Sequence, residues 1–237
     1  MKNLVKKTLD LDPNEAARQR WLRETLAGLP SGLRILDAGA GELRNKPLCA
    51  HLDYVSQDFG QYEGRGNQAG LQTGAWDTSR IDIVSDIADI PQPDASFDAI
   101  LCSEVLEHLP SPELALAEFR RLLKPGGTLI LTAPFASLVH FAPYHYATGF
   151  SRYWYEHRLP AHGFEVIELT PNGNWFTLFR QELVRWPSMA RRARQWSLPL
   201  VYLATFFGLL CLVLARPAGK TEEIGCFGWL CVATRTR

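Results

Sequence analysis

The sequence predicts an α/β fold: a mostly parallel sheet covered by helices on both faces. Three observations carry the expectation. Short apolar, β-prone runs alternate with helical stretches along the chain, the signature of parallel strands joined by crossover helices. The first run, Leu33–Leu36, ends at Asp37 and a turn holding Gly39 and Gly41, as a buried strand does where it opens onto a ligand. The chain has 237 residues, 46% of them apolar, enough for one core and one elaboration of it.

The elements follow in order. Asn14–Ala27 reads as an amphipathic helix, with Asp12 placed to cap it, Pro13 in the first turn and Gly28 past its end. Leu33–Leu36 is the first strand and Tyr54–Gln57 the second, ending at Asp58. Gly60–Gly74, rich in Gly, Gln and Asn, is a loop. Ile81–Val84 and Phe97–Ser103 are the third and fourth strands. Pro112–Leu123 is a helix stopped by Lys124, Pro125, Gly126 and Gly127, and Thr128–Ala133 is the fifth strand. Ser151–Ala161 is a helix rich in aromatics, and Phe164–Leu169 and Phe227–Ala233 are the last strands.

Charge and cysteines narrow the function classes. Lys+Arg and Asp+Glu are both 25, so the basic excess of a general nucleic-acid binder is missing. The five cysteines are odd in number and none forms a CxxC pair, which implies reduced, mostly buried thiols in a cytoplasmic protein. The opening MKNLVKK has basic residues with no apolar core after them, unlike a secretory leader.

Gly39 and Gly41 alone do not select a ligand. The dinucleotide fingerprint requires a small residue where this chain has Arg44, so a pyrophosphate is disfavoured. The wider set of motifs is more specific. Asp37, Gly39 and Gly41 are followed by Asp58, by the segment 83–91 containing Asp86, by the run 94–110, and by the Lys124–Gly127 turn.

This ordered set, from Leu33 to Phe164, resembles the class I S-adenosylmethionine-dependent methyltransferases, in particular the methyltransferase type 11-like group that acts on small molecules. The resemblance implies a Rossmann-like seven-stranded sheet and S-adenosylmethionine as cofactor. It assigns Asp37 and the loop Gly39, Ala40 and Gly41 to the methionine end, and Asp58, with Phe59 beside it, to the ribose side. Asp86 and Ile87 are assigned to the adenine, and Ser103 and Glu104 to the sulfonium and the acceptor. The family's first motif often carries a further glycine where this chain has Leu43.

Glu104, Glu107 and His108 are spaced i, i+3 and i+4, which on a helix would put them on one face. Three ligands in one helix would crowd a metal, and a cofactor-wall role is expected instead, with no metal. A base is needed only if the acceptor loses a proton. The stretch 132–153 supplies the candidates: His145 and His140 as bases, and Tyr144, Tyr146 and Arg152 as substrate contacts. Packing over the cofactor is the alternative role for all of them.

The chain divides, on this reading, into an N-terminal segment 1–30, a catalytic domain 31–169 plus 226–237, and an insertion 170–225 far longer than a usual strand connection. Trp175–Trp186 reads as a helix, Arg191, Arg192 and Arg194 follow, and Ser197–Ala215 carries no charge. That last run would be about 28 Å long as a helix, at the lower limit for crossing hydrocarbon. A single span would separate two strands of one sheet, so contact with the inner membrane face is expected, or else dimerisation through 175–215. The expected acceptor is a small molecule, a glycan precursor or a lipid-linked intermediate. A non-catalytic cofactor-binding or scaffold protein is the alternative.

Overall fold

The computed structural model describes residues 13–215 and 220–237; the capping position expected at Asp12 lies outside them. Its centre is a seven-stranded sheet in the order β3-β2-β1-β4-β5-β7-β6. The strands are β1 (Arg34–Ala38), β2 (Asp53–Asp58), β3 (Ile83–Val84), β4 (Phe97–Ser103), β5 (Leu123–Pro134), β6 (Phe164–Asn172) and β7 (Gly228–Arg235). β1 pairs in parallel with both β2 and β4, and β4 with β5, while β7 runs antiparallel to β5.

The two innermost strands are the most apolar. Ile35 and Leu36 of β1, and Ala99 through Cys102 of β4, are fully buried, as strands covered on both faces must be. After β1 the chain builds β2 and β3 on one side, then crosses to build β4 and β5 on the other. The carboxyl ends of β1 and β4 therefore flank the point where strand order reverses, the crevice where open α/β sheets bind ligands.

Helix α1 (Pro13–Ala27) inserts Leu22 and Leu26 against Ile35, Ala99, Leu101 and Ile130, each worth about 1.5–3 kcal/mol of burial. Helix α2 (Pro112–Leu122) buries Leu116 and Phe119, and α3 (Arg152–Ala161) buries Tyr155 and Leu159. The Lys124–Gly127 turn differs from expectation, because it belongs to the start of β5 and not to a separate loop. Pro125 cannot extend a helix, and Gly126 at φ 79° bends the chain within the strand.

The chain forms two compact units. One, Arg20–Thr170 with Gly228–Arg237, contains the sheet; the other is Pro171–Phe227 with the described residues up to Gln19. In the second unit, α4 (Trp175–Arg192) begins with a reciprocal cap: Thr177 N–H donates to Asn174 Oδ1 at 3.1 Å, and Asn174 N–H to Thr177 Oγ1 at 2.8 Å. It packs on α5 (Leu198–Ala215), with Gly208 allowing close approach to Leu183. Most of α5's large side chains face outward, yet among the described residues no helix is long and apolar enough to cross a membrane.

Candidate cofactor and acceptor site

β1 delivers Asp37 to the crevice, buried, with the Tyr54 hydroxyl donating to its Oδ2 at 2.7 Å. Burial pushes its carboxyl from 3.8 up to about 6, against hydrogen bonds from Tyr54 and Asn45 that act in the other direction. Beyond it, the glycine loop is held by the end of β2. The amides of Gly39 and Ala40 donate to the Gln57 carbonyl at 2.9 and 2.8 Å. Asp58 uses both carboxylate oxygens: Oδ2 accepts from Gly41 N–H at 3.0 Å and Oδ1 from Gly60 N–H at 2.9 Å.

Two glycines of the loop are obligatory. Gly39 sits at φ 76°, and a Cβ there would lie 2.5 Å from Val105; Gly41 sits at φ 52°, and a Cβ there would lie 2.6 Å from Trp76. Leu43 occupies φ 62°. The loop thus keeps the backbone a third glycine would give, at a strain of roughly 1–2 kcal/mol, with the leucine side chain buried beneath it. Arg44 is drawn away, its guanidinium 3.1 Å from Glu42 and 5.5 Å from the Trp76 ring centre.

Asp86 is exposed beyond β3 and uses Oδ1 to accept the Ala88 amide at 2.9 Å, with Ile87 buried next to it. α2 fixes this segment. Glu118 accepts the Ile90 amide at 2.8 Å, and Arg121 donates to the same carboxylate and to the carbonyls of Ile90 and Gln92.

At the end of β4, Ser103 Oγ lies 2.8 Å from Thr132 Oγ1, which donates to Glu104 Oε1 at 3.0 Å. The expected helical face of Glu104, Glu107 and His108 does not form. Glu104 takes φ 56° and only Leu106–His108 makes a single 3₁₀ turn, because the strand must reverse sharply before any helix can start.

The lid at 135–150 adds the other wall. The Tyr144 ring meets Phe59 edge-on at 4.9 Å. Phe141 packs against Tyr62 at 4.4 Å and Trp76 at 5.0 Å. Tyr146 is exposed, its amide donating to the Glu107 carbonyl at 2.9 Å, and Arg152 is paired along α3 with Glu156 at 2.6 Å.

Three histidines converge over Glu107. Ring centres lie 4.7 Å apart for His108 and His140, 4.9 Å for His140 and His145, and 5.9 Å for His108 and His145. Nδ1–H of His108 donates to the Tyr144 carbonyl at 2.5 Å, and Nδ1–H of His140 to the Leu138 carbonyl at 2.8 Å. Their Nε2 atoms lie 3.7 and 4.0 Å from the buried Glu107 Oε1. Both ring nitrogens of His145 are buried without a hydrogen-bond partner among the described residues. Burial holds His108 down at about 4 and His145 below the usual imidazole range, so both are neutral near pH 7.

Residues 36–131 match the family described as "Methyltransferase domain". The demethylmenaquinone methyltransferase of Renibacterium salmoninarum is 29% identical over 216 residues, covering 86% of this chain and 84% of that protein. The ubiquinone biosynthesis O-methyltransferase of Xylella fastidiosa is 35% identical over 119 residues, and there the chain spans about half (46%) of the relative's length. Among solved structures, the cyclase SpnF superposes with a TM-score of 0.56 at 17% identity, over 91% of this chain and 80% of that one; it shares the fold.

These matches support a class I S-adenosylmethionine-dependent methyltransferase. S-adenosylmethionine is accordingly the methyl donor. The residues fit that donor. The crevice is rich in carboxylates and backbone amides, while the nearby guanidinium of Arg44, which a pyrophosphate would want, is held on Glu42 and Trp76.

Sequence reasoning in this methyltransferase missed three groups. Gln57 and Val105 support the loop from neighbouring strand ends, where only the sheet register brings them close. Trp76, Tyr62 and Phe141 form one aromatic wall from two separate loops. Glu107 and His108 meet His140 and His145 only through the folding of the lid. The His-x₄-His spacing of 140 and 145 was the one available signal.

Proposed function

We propose that this methyltransferase moves the methyl group to a hydroxyl oxygen on a hydrophobic aromatic acceptor of the quinol kind, carried on a lipid tail. The observation that carries the proposal is the lid: a neutral histidine with two unused, buried ring nitrogens, set in a wall of aromatic rings. The two quinone-pathway names among the relatives support the same class.

The roles follow from the chemistry of each group. Asp37 and the loop Gly39–Gly41 hold the amino-acid end of the cofactor. Asp58, whose carboxylate oxygens each have capacity beyond one amide, faces the ribose with Phe59 beside it. Asp86 and the Ile87 amide take the adenine, and Ser103 and Glu104 border the sulfonium. The sulfonium supplies an electrophilic methyl when bound. The protein aligns the acceptor oxygen with it and excludes water. His145 takes the hydroxyl proton on the one ring nitrogen that is unprotonated at neutral pH; His140 assists from the adjoining ring. Tyr144 packs on the acceptor ring, Tyr146 lies at the rim, and Arg152 acts from α3.

The insertion 170–225 fits a lipid-borne acceptor. Helix α5 has no charged residue and exposes Phe206 by 61%, Val213 by 69% and Leu214 by 71%, while Trp196 before it is 91% exposed. Arg191, Arg192 and Arg194 precede that tryptophan. Apolar surface beside exposed tryptophan and clustered arginine suits the anionic headgroup boundary of a bilayer. A helix lying in that boundary need not span it, and at about 27 Å it is shorter than the hydrocarbon core.

The test uses purified enzyme, labelled S-adenosylmethionine and an isoprenoid quinol with a free ring hydroxyl, presented in anionic vesicles. Methylation of the vesicle-borne quinol, with protein floating with anionic but not neutral vesicles, is expected. A protein that stays with the buffer, forms dimers through α5 and methylates only water-soluble acceptors would contradict the lipid-linked part.

A further inference from the structure

We infer that His108, His140 and His145, with the Glu107 carboxylate beside them, form a binding site for one divalent transition-metal cation of the zinc class. The metal-binding claim stands on the geometry alone; only its catalytic consequence rests on reading the lid as the acceptor site.

The ligand atoms of the three histidines all lie within 4.8 Å of one another. A shared cation with Zn–N bonds of about 2.0–2.1 Å needs them roughly 3.4 Å apart, a closure that small ring rotations in a lid supply. The tautomers are already set. His108 and His140 each give Nδ1–H to a backbone carbonyl, those of Tyr144 and Leu138, which leaves both Nε2 lone pairs turned toward the cluster. That carbonyl–imidazole pairing is the outer support that metal-bound histidines characteristically have. Glu107 is buried with Oε1 within 3.7 and 4.0 Å of the two Nε2 atoms, so a carboxyl oxygen stands beside the imidazole ligands as a further oxygen donor.

Plain aromatic packing explains these contacts less well. A packed imidazole normally spends its ring nitrogens on hydrogen bonds, and His145 spends neither. Three imidazoles converging beside a buried carboxyl group are, by contrast, a donor set of the transition-metal kind. The three residues come from the 3₁₀ turn after β4 and from two points of the lid. Spacing in the sequence therefore suggests no metal, and the fold supplies one site. With a cation bound, His145 becomes a ligand, and the cation's charge rather than the imidazole acidifies a hydroxyl placed against it.

The test titrates metal-stripped full-length protein with Zn²⁺ by calorimetry and with Co²⁺ by visible absorption, for the wild type, His140→Ala and His145→Gln. One cation per chain is expected, with the intense absorption of low-coordinate cobalt, and affinity falling by more than about tenfold in each variant. Calorimetric binding of S-adenosylmethionine, expected to be unchanged, shows that the variants are folded. Absence of binding by the wild type, or equal binding by all three proteins, overturns the site. The two conclusions separate cleanly: cation binding without methyl transfer removes the proposed function and leaves the site, whereas chelator-insensitive transfer by protein that binds no cation does the reverse.

Discussion

The two walls of the crevice are built on different principles. The β1–β2 wall is closed: Gln57 and Asp58 use backbone and side-chain acceptors to hold the amides of Gly39, Ala40, Gly41 and Gly60. The lid wall is open in the chemical sense, with the His145 imidazole held neutral and aromatic faces whose bonding capacity is not exhausted within the protein. A loop locked by its own hydrogen bonds suits a ligand that never changes. A lid with reactive groups to spare suits the partner that distinguishes one methyltransferase from another.

If that division holds, damage to each wall has a separate readout. The largest effect is expected from His145→Ala, which should lower methyl transfer by about a hundred- to ten-thousandfold while calorimetry finds cofactor affinity unchanged. A parallel loss of cofactor binding would blur the two walls into one. Next is Asp58→Ala. It leaves the Gly41 and Gly60 amides without their carboxylate, at about 1–3 kcal/mol each, and cofactor affinity should fall by roughly a hundredfold.

Asp37 sharpens the comparison through pH. Its folded-state carboxyl is raised from 3.8 to about 6 by burial. The stability it contributes is thus fully present below about pH 4 and lost as pH rises through 6. For the ligand-free protein the loss is roughly 3 kcal/mol, measurable by denaturant melts at pH 4 and 7, and Asp37→Asn should abolish that slope. Cofactor binding should strengthen over the same range, since the ionised form is the one that accepts an ammonium group. The smallest effect is expected at Leu43. Leu43→Gly relieves about 1 kcal/mol of left-handed strain and gives up a buried side chain of similar worth, so the melting temperature should move by only a few degrees, with turnover intact.

What the sequence made legible follows the same division. The strands, their order of appearance and the Asp37–Gly41 turn are local signals: apolar runs of strand length and glycines where the backbone must turn left-handed. Phe97–Ser103 could be bounded to the residue for that reason. The start of β5 could not, because Pro125 and Gly126 resemble a helix stop whether or not a strand follows at once. The Glu104–His108 face was misjudged since helical spacing assumes a helix, and the chain needs a left-handed residue there to leave β4. The histidine cluster was hidden because it is a tertiary object: His108 and His140 stand 32 positions apart, and only the lid closes the gap.

Methyl transfer itself is the most direct test of the account. Labelled S-adenosylmethionine and purified protein are incubated with a total lipid extract from cells lacking the gene, and the organic and aqueous phases are analysed by mass spectrometry. A labelled organic-phase product heavier than its precursor by one methylene is expected, absent with His145→Ala although that variant still binds the cofactor. Tight cofactor binding by the wild type with no labelled product in either phase would contradict it, and would leave a protein that holds S-adenosylmethionine without using it.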